Sequence, residues 1–412
     1  MTVTKGGVAP TRTELLLPAQ EPLSASEGPE ISIVVPALNE RLTIGEFVDW
    51  CYEGLRTAGV SGEVIIVDSS SDDTWQIALS RGARVLRTPK RGLGAAYIDA
   101  IPHIRGKFVI LGDCDLTYDF RNLVPFIEAY RAGAEFVMGS RFAGSIEEGA
   151  MPALHRYFGT PATTAILNWI YGSRYTDIHC GMRGLTLDAF KRIQLTATGW
   201  EYASEMVLKA ARLGLKTSEV PVHFLKDRDG RVSHHLRSGF LSPWIAGLSN
   251  LKVMLVYSPD TFLIKPGAAL ALLGLIIAAL SVSGHIVLWG IGLTTHSLLI
   301  GVTATTFGYS LFQAGLYARH LHKLKQGSDQ LLNRYLTYER GTILAILCFL
   351  VGLILIAWGV GTYIQHEYKF EGMSHSLILG LLCVIVGVQT FSLSLIFELQ
   401  RWMRAGNKSE AQ

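Results

Sequence analysis

The sequence predicts an α/β domain followed by a bundle of membrane-spanning helices. Three observations carry that expectation. Short β-branched runs alternate with helix-like stretches through the first 235 residues. Each run ends on polar or acidic residues. Beyond residue 265, charged side chains vanish for long apolar stretches. The chain has 412 residues, enough for two structural units.

The elements follow in order. Met1–Glu30 has no apolar stretch of signal-peptide length and is dotted with Gly, Pro, Ser and Thr, so residues 1–30 read as a loose tail. Ile31–Val35 (ISIVV) is the first strand, ended by Pro36. Val64–Val67 (VIIV) is the second, ended by Asp68. Phe108–Leu111 (FVIL) is the third, ended by Gly112 and Asp113, and Phe136–Met138 is a candidate fourth. Leu42–Thr57 and Thr74–Arg81 read as helices between them. Alternating strands and helices predict a parallel sheet covered on both faces. Such sheets bind ligands at the carboxyl ends of their strands. Asn39, Glu40, Asp68, Asp113 and Asp115 fall there.

Residues 111–120 read LGDCDLTYDF. In extended chain, positions i and i+2 share a face, so Asp113 and Asp115 can share one ligand while Cys114 turns inward. Two close carboxylates repel unless a cation lies between them. Mg²⁺ or Mn²⁺ suits hard oxygen donors and commonly shares them with phosphates. Alone, the triplet is equally compatible with a solvated turn.

Its neighbours add specificity. Pro36–Glu40 reads PALNE, Val67–Thr74 VDSSSDDT, Pro89–Tyr97 PKRGLGAAY and Met138–Phe142 MGSRF. In order and spacing this set resembles the family 2 glycosyltransferases of the GT-A (Rossmann-like) fold. Thr176–Leu185 (TDIHCGMRGL) and Gly199–Val222 (GWEYASEMVLKAARLGLKTSEVPV) resemble the dolichol-phosphate mannose synthase and polyprenyl-phosphate glucosyltransferase branch. The resemblance covers about residues 31–235. It implies that Pro36, Leu38 and Glu40 cradle a nucleotide and that Asp68 accepts a hydrogen bond from its base. Lys90, Arg91 and Gly92 would lie along the diphosphate. Asp115 would be the main metal ligand, with Asp113 ligating directly or through water. Arg141 is a candidate phosphate contact, or a surface ion pair. Arg183, Arg228 and Arg231 are candidates for holding an acceptor lipid phosphate. Two departures bear on that loop: Gly230 stands one place early relative to Arg228 and Ser233, and Cys180 replaces the family's usual Ser. The His234–His235 pair reads as a solvated interface more readily than as metal ligands.

The sequence then turns towards the membrane. Leu236, Phe240, Trp244 and Leu248 recur every four residues, so 236–260 reads as amphipathic interface helices, with a core-facing helix as the alternative. Residues 266–318, 341–364 and 374–397 contain no Asp, Glu, Lys or Arg. A crossing needs roughly 20 apolar residues. Four transmembrane helices are expected within 261–404, near 266–288, 297–318, 341–364 and 374–397, with 405–412 as a tail. Lys and Arg cluster at Arg319, Lys323, Lys325, Arg334 and Arg340 and again at Arg401, Arg404 and Lys408. The bias predicts a multi-pass protein with its front domain in the cytoplasm.

A net charge of +3 is too small to argue for nucleic acid. Five cysteines without CxxC or metal-ligand spacing suggest reduced thiols. The expected reaction is inverting transfer of a hexose from a nucleotide sugar to a polyprenyl monophosphate, with UDP-glucose preferred to GDP-mannose. A processive polysaccharide synthase would resemble QxxRW, whereas this chain has only adjacent Gln400-Arg401-Trp402. A lipid-linked sugar transporter is the non-enzymatic alternative, and spans without Asp or Glu argue against it. The oligomeric state is left open, homo-oligomers included.

Overall fold

The computed structural model describes residues 9–19, 28–228, 258–282, 287–288, 291–321, 337–365 and 375–409. The chain divides into two units, Met1–Met254 and Leu255–Gln412. Arg231, His234, His235 and nearly all of the expected interface helices lie outside the described residues.

The first unit holds an eight-stranded sheet. Its strands are β1 (Glu14–Leu16), β2 (Ile31–Ala37), β3 (Gly62–Asp68), β4 (Arg84–Arg87), β5 (Phe108–Leu111), β6 (Phe136–Ile146), β7 (Arg183–Thr186) and β8 (Thr217–Phe224). The spatial order is β1-β4-β3-β2-β5-β7-β6-β8. β2, β3, β4 and β5 are parallel. Ile33, Val34 and Val35, Val64 to Val67, and Val109 to Leu111 are almost wholly buried. A sheet covered on both faces calls for such continuous apolar runs instead of alternation.

The structure corrects the sequence reading in three places. The sheet is mixed, because β7 enters antiparallel between β5 and β6. Its four residues, RGLT, contain no β-branched run that would mark a strand. Part of the expected tail is ordered: β1 pairs antiparallel with β4, placing Leu15 opposite Leu86. Three residues are too few to show a period. Pro36 does not end its strand, since β2 runs through it to Ala37, opposite Asp68. Proline's fixed φ is compatible with extended chain.

The helices of this unit are α1 (Ile44–Thr57), α2 (Thr74–Ser80), α3 (Leu93–Ala100), α4 (Val124–Arg131), α5 (Thr160–Tyr171), α6 (Leu187–Ile193) and α7 (Tyr202–Arg212). On α1, Phe47, Val48, Cys51 and Leu55 form one buried stripe at helical spacing.

Among the described residues, the second unit contains four long helices: α8 (Lys265–Ser281), α9 (Thr295–Leu321), α10 (Tyr338–Gln365) and α11 (His375–Ser409). Asp260–Ser281, Tyr338–Gln365 and His375–Leu399 are long and apolar enough to cross a membrane. The fourth expected span is the 27-residue α9, which is long enough. Its Thr, Ser, Tyr and Gln residues lower its hydropathy, so it is not among those three. Thr303, Thr305 and Ser310 donate to carbonyls one turn back, which satisfies their hydroxyls within the helix. Glycines let backbones meet: a Cβ on Gly274 or Gly308 of α8 and α9 would strike the facing helix, and Gly352 and Gly380 meet likewise between α10 and α11. Small residues at such seams are how helices associate in lipid. Between α9 and α11, Tyr309 and Thr390 share a hydrogen bond of 2.7 Å, and Gln389 donates to Ser310.

Candidate active site

Three neighbouring strands, β3, β2 and β5, end at one edge of the sheet and carry the predicted residues there. The loops after β2 and β3 are laced together. The Asn39 amide donates to Ser70 Oγ at 2.7 Å, the Ser71 amide donates to Asn39 Oδ1 at 3.1 Å, and the Glu40 amide donates to Thr74 Oγ1 at 3.0 Å. Asn39 takes a left-handed conformation, with φ 57°, that asparagine tolerates better than most residues. Pro36 and Leu38 are half-buried and Glu40 is buried.

Asp68 closes β3 with no exposed surface. Its nearest cation is Arg87, whose Nε lies 3.4 Å away. Both carboxylate oxygens are left without a hydrogen bond of good geometry. Burial pushes the carboxyl pKa up, against the pull of Ser70 and Arg87. A buried acceptor in this condition is suited to a donor brought by a ligand.

β5 stops at Leu111, so Asp113 and Asp115 lie in the following loop and not on the strand itself. The alternation inferred from the sequence nevertheless persists. Cys114 is buried and its Sγ meets the Pro36 carbonyl at 3.4 Å, while Asp113 and Asp115 are half-exposed. Leu116 then takes φ 65°, a strained value for leucine. Asp115 Oδ1 accepts from the Thr117 amide at 3.0 Å and hydroxyl at 2.6 Å, which fixes its carboxylate. A Cβ on Gly181 would come within 2.6 Å of Asp113 Oδ2, so glycine keeps space beside that carboxylate. Two hard oxygen donors of this kind suit a divalent cation. Among the described residues, no group of three or more His, Cys, Asp or Glu gathers as a metal cage.

The KRGLG stretch opens α3. Gly92 precedes the helix at φ 113°. Any side chain on Gly92 or Gly94 would strike the backbone of the segment 197–199. Thr198 accepts from the Ala95 amide at 3.1 Å. Lys90 is exposed, and Arg91 pairs with Asp99 at 2.5 Å.

The predicted arginines have diverse settings. Arg141, on β6, is buried and grips Asp177 with two parallel bonds, Nε to Oδ2 at 2.6 Å and Nη2 to Oδ1 at 2.8 Å. Arg183 opens β7 with 1% of its surface exposed. Its guanidinium donates to the carbonyls of Cys180, Ala203 and Ile178. These two cations brace the segment 177–183 from within. Arg228 is half-exposed and pairs with Glu46 of α1 at 2.5 Å.

Other residues at the site lie within the quoted stretches but were not singled out there. Tyr97, Tyr118 and Tyr202 are buried around Asp113. Tyr97 donates to the Gly112 carbonyl at 3.0 Å, and Tyr118 accepts from the Gly181 amide at 2.8 Å. The Tyr97 and Tyr202 rings lie 4.9 Å apart. Burial raises the Tyr97 and Tyr118 hydroxyls well above the usual range and pushes Tyr202 up to about 12. All three remain neutral hydrogen-bonding groups. Glu205 on α7 is wholly buried. It accepts from the Thr196 and Ala197 amides and pairs with Lys209 at 2.6 Å, pinning the segment that covers Gly92. Single tyrosines and a helical glutamate have no spacing that singles them out.

The family model for glycosyl transferase family 2 matches residues 32–194, and the model for the C-terminal transmembrane region of family 2 glycosyltransferases matches 316–401. The low-salt glycan biosynthesis hexosyltransferase Agl6 of Haloferax volcanii is 30% identical over 381 residues, covering 91% of this chain and 89% of that protein. A dolichyl-phosphate hexose transferase of the same organism is 29% identical over 207 residues, 49% of this chain and 86% of that one. The crystal structure of mannosyl-3-phosphoglycerate synthase from Rubrobacter xylanophilus aligns at 21% identity and TM-score 0.42, covering 55% of this chain and 74% of that one. The chain belongs to the family 2 glycosyltransferases, with a GT-A catalytic domain and a membrane region. It is a glycosyltransferase and a membrane protein.

Proposed function

We propose that this enzyme transfers one hexose from a nucleotide sugar to a polyprenyl monophosphate at the cytoplasmic membrane face, with inversion. UDP-glucose is the favoured donor, followed by GDP-mannose. One observation carries the reading: buried Asp68, with no good hydrogen bond, shares a sheet edge with half-exposed Asp113 and Asp115. That arrangement suits a base at one end and a diphosphate at the other. The names of two relatives, a glycan hexosyltransferase and a dolichyl-phosphate hexose transferase, support the class of donor and acceptor.

Asp68 accepts from the nucleotide base, and the Pro36–Glu40 turn shapes the pocket beside it. Lys90 and Arg91 offset diphosphate charge, and Gly92 lets the backbone approach. Asp113 and Asp115 would hold Mg²⁺ or Mn²⁺, which when bound supplies Lewis-acid stabilisation of the leaving diphosphate. Arg141 and Arg183 position the 177–183 segment, and through Gly181 the space beside Asp113. The acceptor needs no general base, because a phosphate monoester has its second pKa at about 6 and is ionised at neutral pH. Arg228 and Arg231 are assigned to that phosphate. The Lys/Arg bias of the C-terminal half supports a cytoplasmic catalytic domain and four crossings, α9 included.

The test offers a panel of nucleotide sugars with undecaprenyl and dolichyl phosphate to the purified full-length enzyme, followed by lipid mass spectrometry. A lipid gaining a single hexose is expected. Polymeric product would indicate a processive synthase, and donor turnover without lipid product would remove the acceptor assignment.

A further inference from the structure

The loop that carries Asp113 and Asp115 lies outside the regular sheet. β5 stops at Leu111, and Leu116 is held at φ 65°, a backbone state that is costly for leucine. Strain of that kind persists only where the surroundings fix it from several sides. One of those sides is a strand remote in the sheet. β8 lies at the sheet edge, beyond β7 and β6 from β5. β6 and β8 shift register between Ser140 and Ser145, and an irregularity of this kind bends the strand that carries it. Past that point the end of β8 meets the loop.

Across an isolated antiparallel bridge, Tyr118 faces Phe224. The Leu225 amide donates to the Thr117 carbonyl at 2.8 Å, and the Asp119 amide reaches the His223 carbonyl at 3.4 Å. The Tyr118 and Phe224 rings meet edge-on with centroids 5.1 Å apart. The Arg141 guanidinium lies 5.2 Å from the centroid of the Phe224 ring, within reach of a cation–π contact. Phe224 is itself fixed, because its carbonyl accepts from the Glu147 amide at 2.9 Å. One step further, the Lys226 amide donates to Glu147 Oε2 at 2.8 Å.

The two loop residues at this contact each lead to a carboxylate. Thr117 holds Asp115 Oδ1 through its amide and its hydroxyl. The Tyr118 hydroxyl accepts from the Gly181 amide, and Gly181 stands against Asp113. We propose that Phe224 is a positioning residue for Asp113 and Asp115. Its ring holds Tyr118 and its strand holds Thr117, and through them both carboxylates stay in place for a shared divalent cation. The inference rests on the metal role proposed above for the two carboxylates, and it adds a residue more than 100 positions away in the chain. β8 is the last strand of the sheet. The chain therefore leaves its catalytic domain through the brace of its own metal site.

The test uses the full-length enzyme in detergent as Phe224→Ala, Phe224→Leu and Phe224→Tyr, with Asp115→Asn as the reference. Mn²⁺ is titrated in the presence of UDP or GDP, whichever the wild-type enzyme binds more tightly, and free Mn²⁺ is read by electron paramagnetic resonance. Affinity for the same nucleotide is measured separately in EDTA, with melting curves alongside. Phe224→Leu keeps apolar bulk and Phe224→Tyr keeps the ring, so the series does not depend on the alanine variant folding. Phe224→Leu is expected to weaken Mn²⁺ binding about tenfold, as loss of the support behind a metal ligand does. Phe224→Tyr should restore it, and nucleotide affinity in EDTA should stay at the wild-type value throughout. Normal Mn²⁺ affinity in Phe224→Leu, with only the melting temperature lowered, overturns the proposal and leaves Phe224 a packing residue. Equal losses of metal and nucleotide affinity also overturn it, since the site has then loosened as a whole. The reference variant separates this inference from the metal reading. If Asp115→Asn also binds Mn²⁺ normally, the two carboxylates are not the metal site and both fall; if it alone loses Mn²⁺, only the role of Phe224 falls.

Discussion

Gly181 and Asp113 are in direct apposition: a Cβ at position 181 would reach 2.6 Å from Asp113 Oδ2, and the Gly181 amide is itself held by the Tyr118 hydroxyl at 2.8 Å. The glycine cannot retreat, so an added methyl group must push the carboxylate. Gly181→Ala is expected to leave folding intact and lower kcat by about 10²-fold, the usual result of displacing a catalytic group by roughly 1 Å. Thermal melting alongside steady-state kinetics checks both halves. An active Ala variant would mean that Asp113 has room to move.

The nucleotide contact proposed for Asp68 also bears on stability. Its carboxyl pKa is raised from the ordinary 3.8 by burial, so the folded protein binds this proton more readily than the unfolded chain. Stability therefore falls as pH rises from the unfolded value through the raised folded one. Asp68→Asn removes that slope. The ligand-free variant should melt at or above the wild-type temperature at pH 7. Its affinity for the nucleoside diphosphate should drop about 10–100-fold, as expected on losing a charge-assisted acceptor. Melting curves across acidic to neutral pH, with calorimetric titration of the nucleotide, read the two effects. A variant that is less stable and binds normally would show Asp68 to be a structural residue.

The Arg141–Asp177 pair is buried on both sides, with side-chain exposures of 10% and 0%. Removing one partner strands the other charge, so Arg141→Ala or Asp177→Ala should each cost about 3–5 kcal/mol. Arg141→Met combined with Asp177→Leu should recover much of that stability, because an apolar pair leaves no orphaned charge. Denaturant unfolding of the three variants checks this. Near-normal stability in the single mutants would argue against the bracing role.

The same pair shows how far the sequence could be read. MGSRF singled out Arg141 as a phosphate contact or a surface ion pair, and one guanidinium in a list of residues gives no buried partner. Asp177 lies 36 positions away, and only the fold joins them. The strands β2, β3 and β5 were legible because apolar β-branched runs must be buried on both faces. β7 and β1 were not, being short and lacking a period. The half-exposed Asp113 and Asp115 were legible as a motif. The tyrosines packed around Asp113 were not, since burial near a carboxylate leaves no trace in spacing. α9 read as a span from the absence of charge, while its hydroxyls lowered the hydropathy that the other spans show.

Asp115 has its Oδ1 fixed by Thr117 at 2.6 Å and 3.0 Å. Activity should require Mg²⁺ or Mn²⁺ and vanish in excess EDTA. Asp115→Asn should lower the rate by more than about tenfold, as loss of a ligand to a Lewis-acid metal does. Thr117→Val should have a smaller effect of the same kind, because it frees the carboxylate without removing it. Metal titrations monitored by turnover, with the EDTA control, decide the matter. Full turnover in EDTA would discard the metal assignment.

Arg228 offers the last comparison, because its partner is known. It pairs with Glu46, and both side chains are substantially exposed. Exposed pairs contribute little to stability, so neither Arg228→Ala nor Glu46→Ala should shift the melting temperature much. The two variants should separate in kinetics. If Arg228 holds the acceptor phosphate, its removal costs about 2–4 kcal/mol of transition-state stabilisation. Glu46→Ala then leaves the rate unchanged or raises it, since the guanidinium is released from a competing carboxylate. Nucleotide-sugar binding should be the same in both, as Asp68 and the Lys90–Gly92 stretch are untouched. Measuring in detergent removes any contribution of the cation to binding an anionic leaflet. Equal, small effects of both substitutions on turnover of the lipid phosphate would reduce Arg228 to a surface tether of α1. The acceptor phosphate would then fall to Arg231 alone, and Arg231→Ala, measured in the same detergent, would have to carry the whole loss.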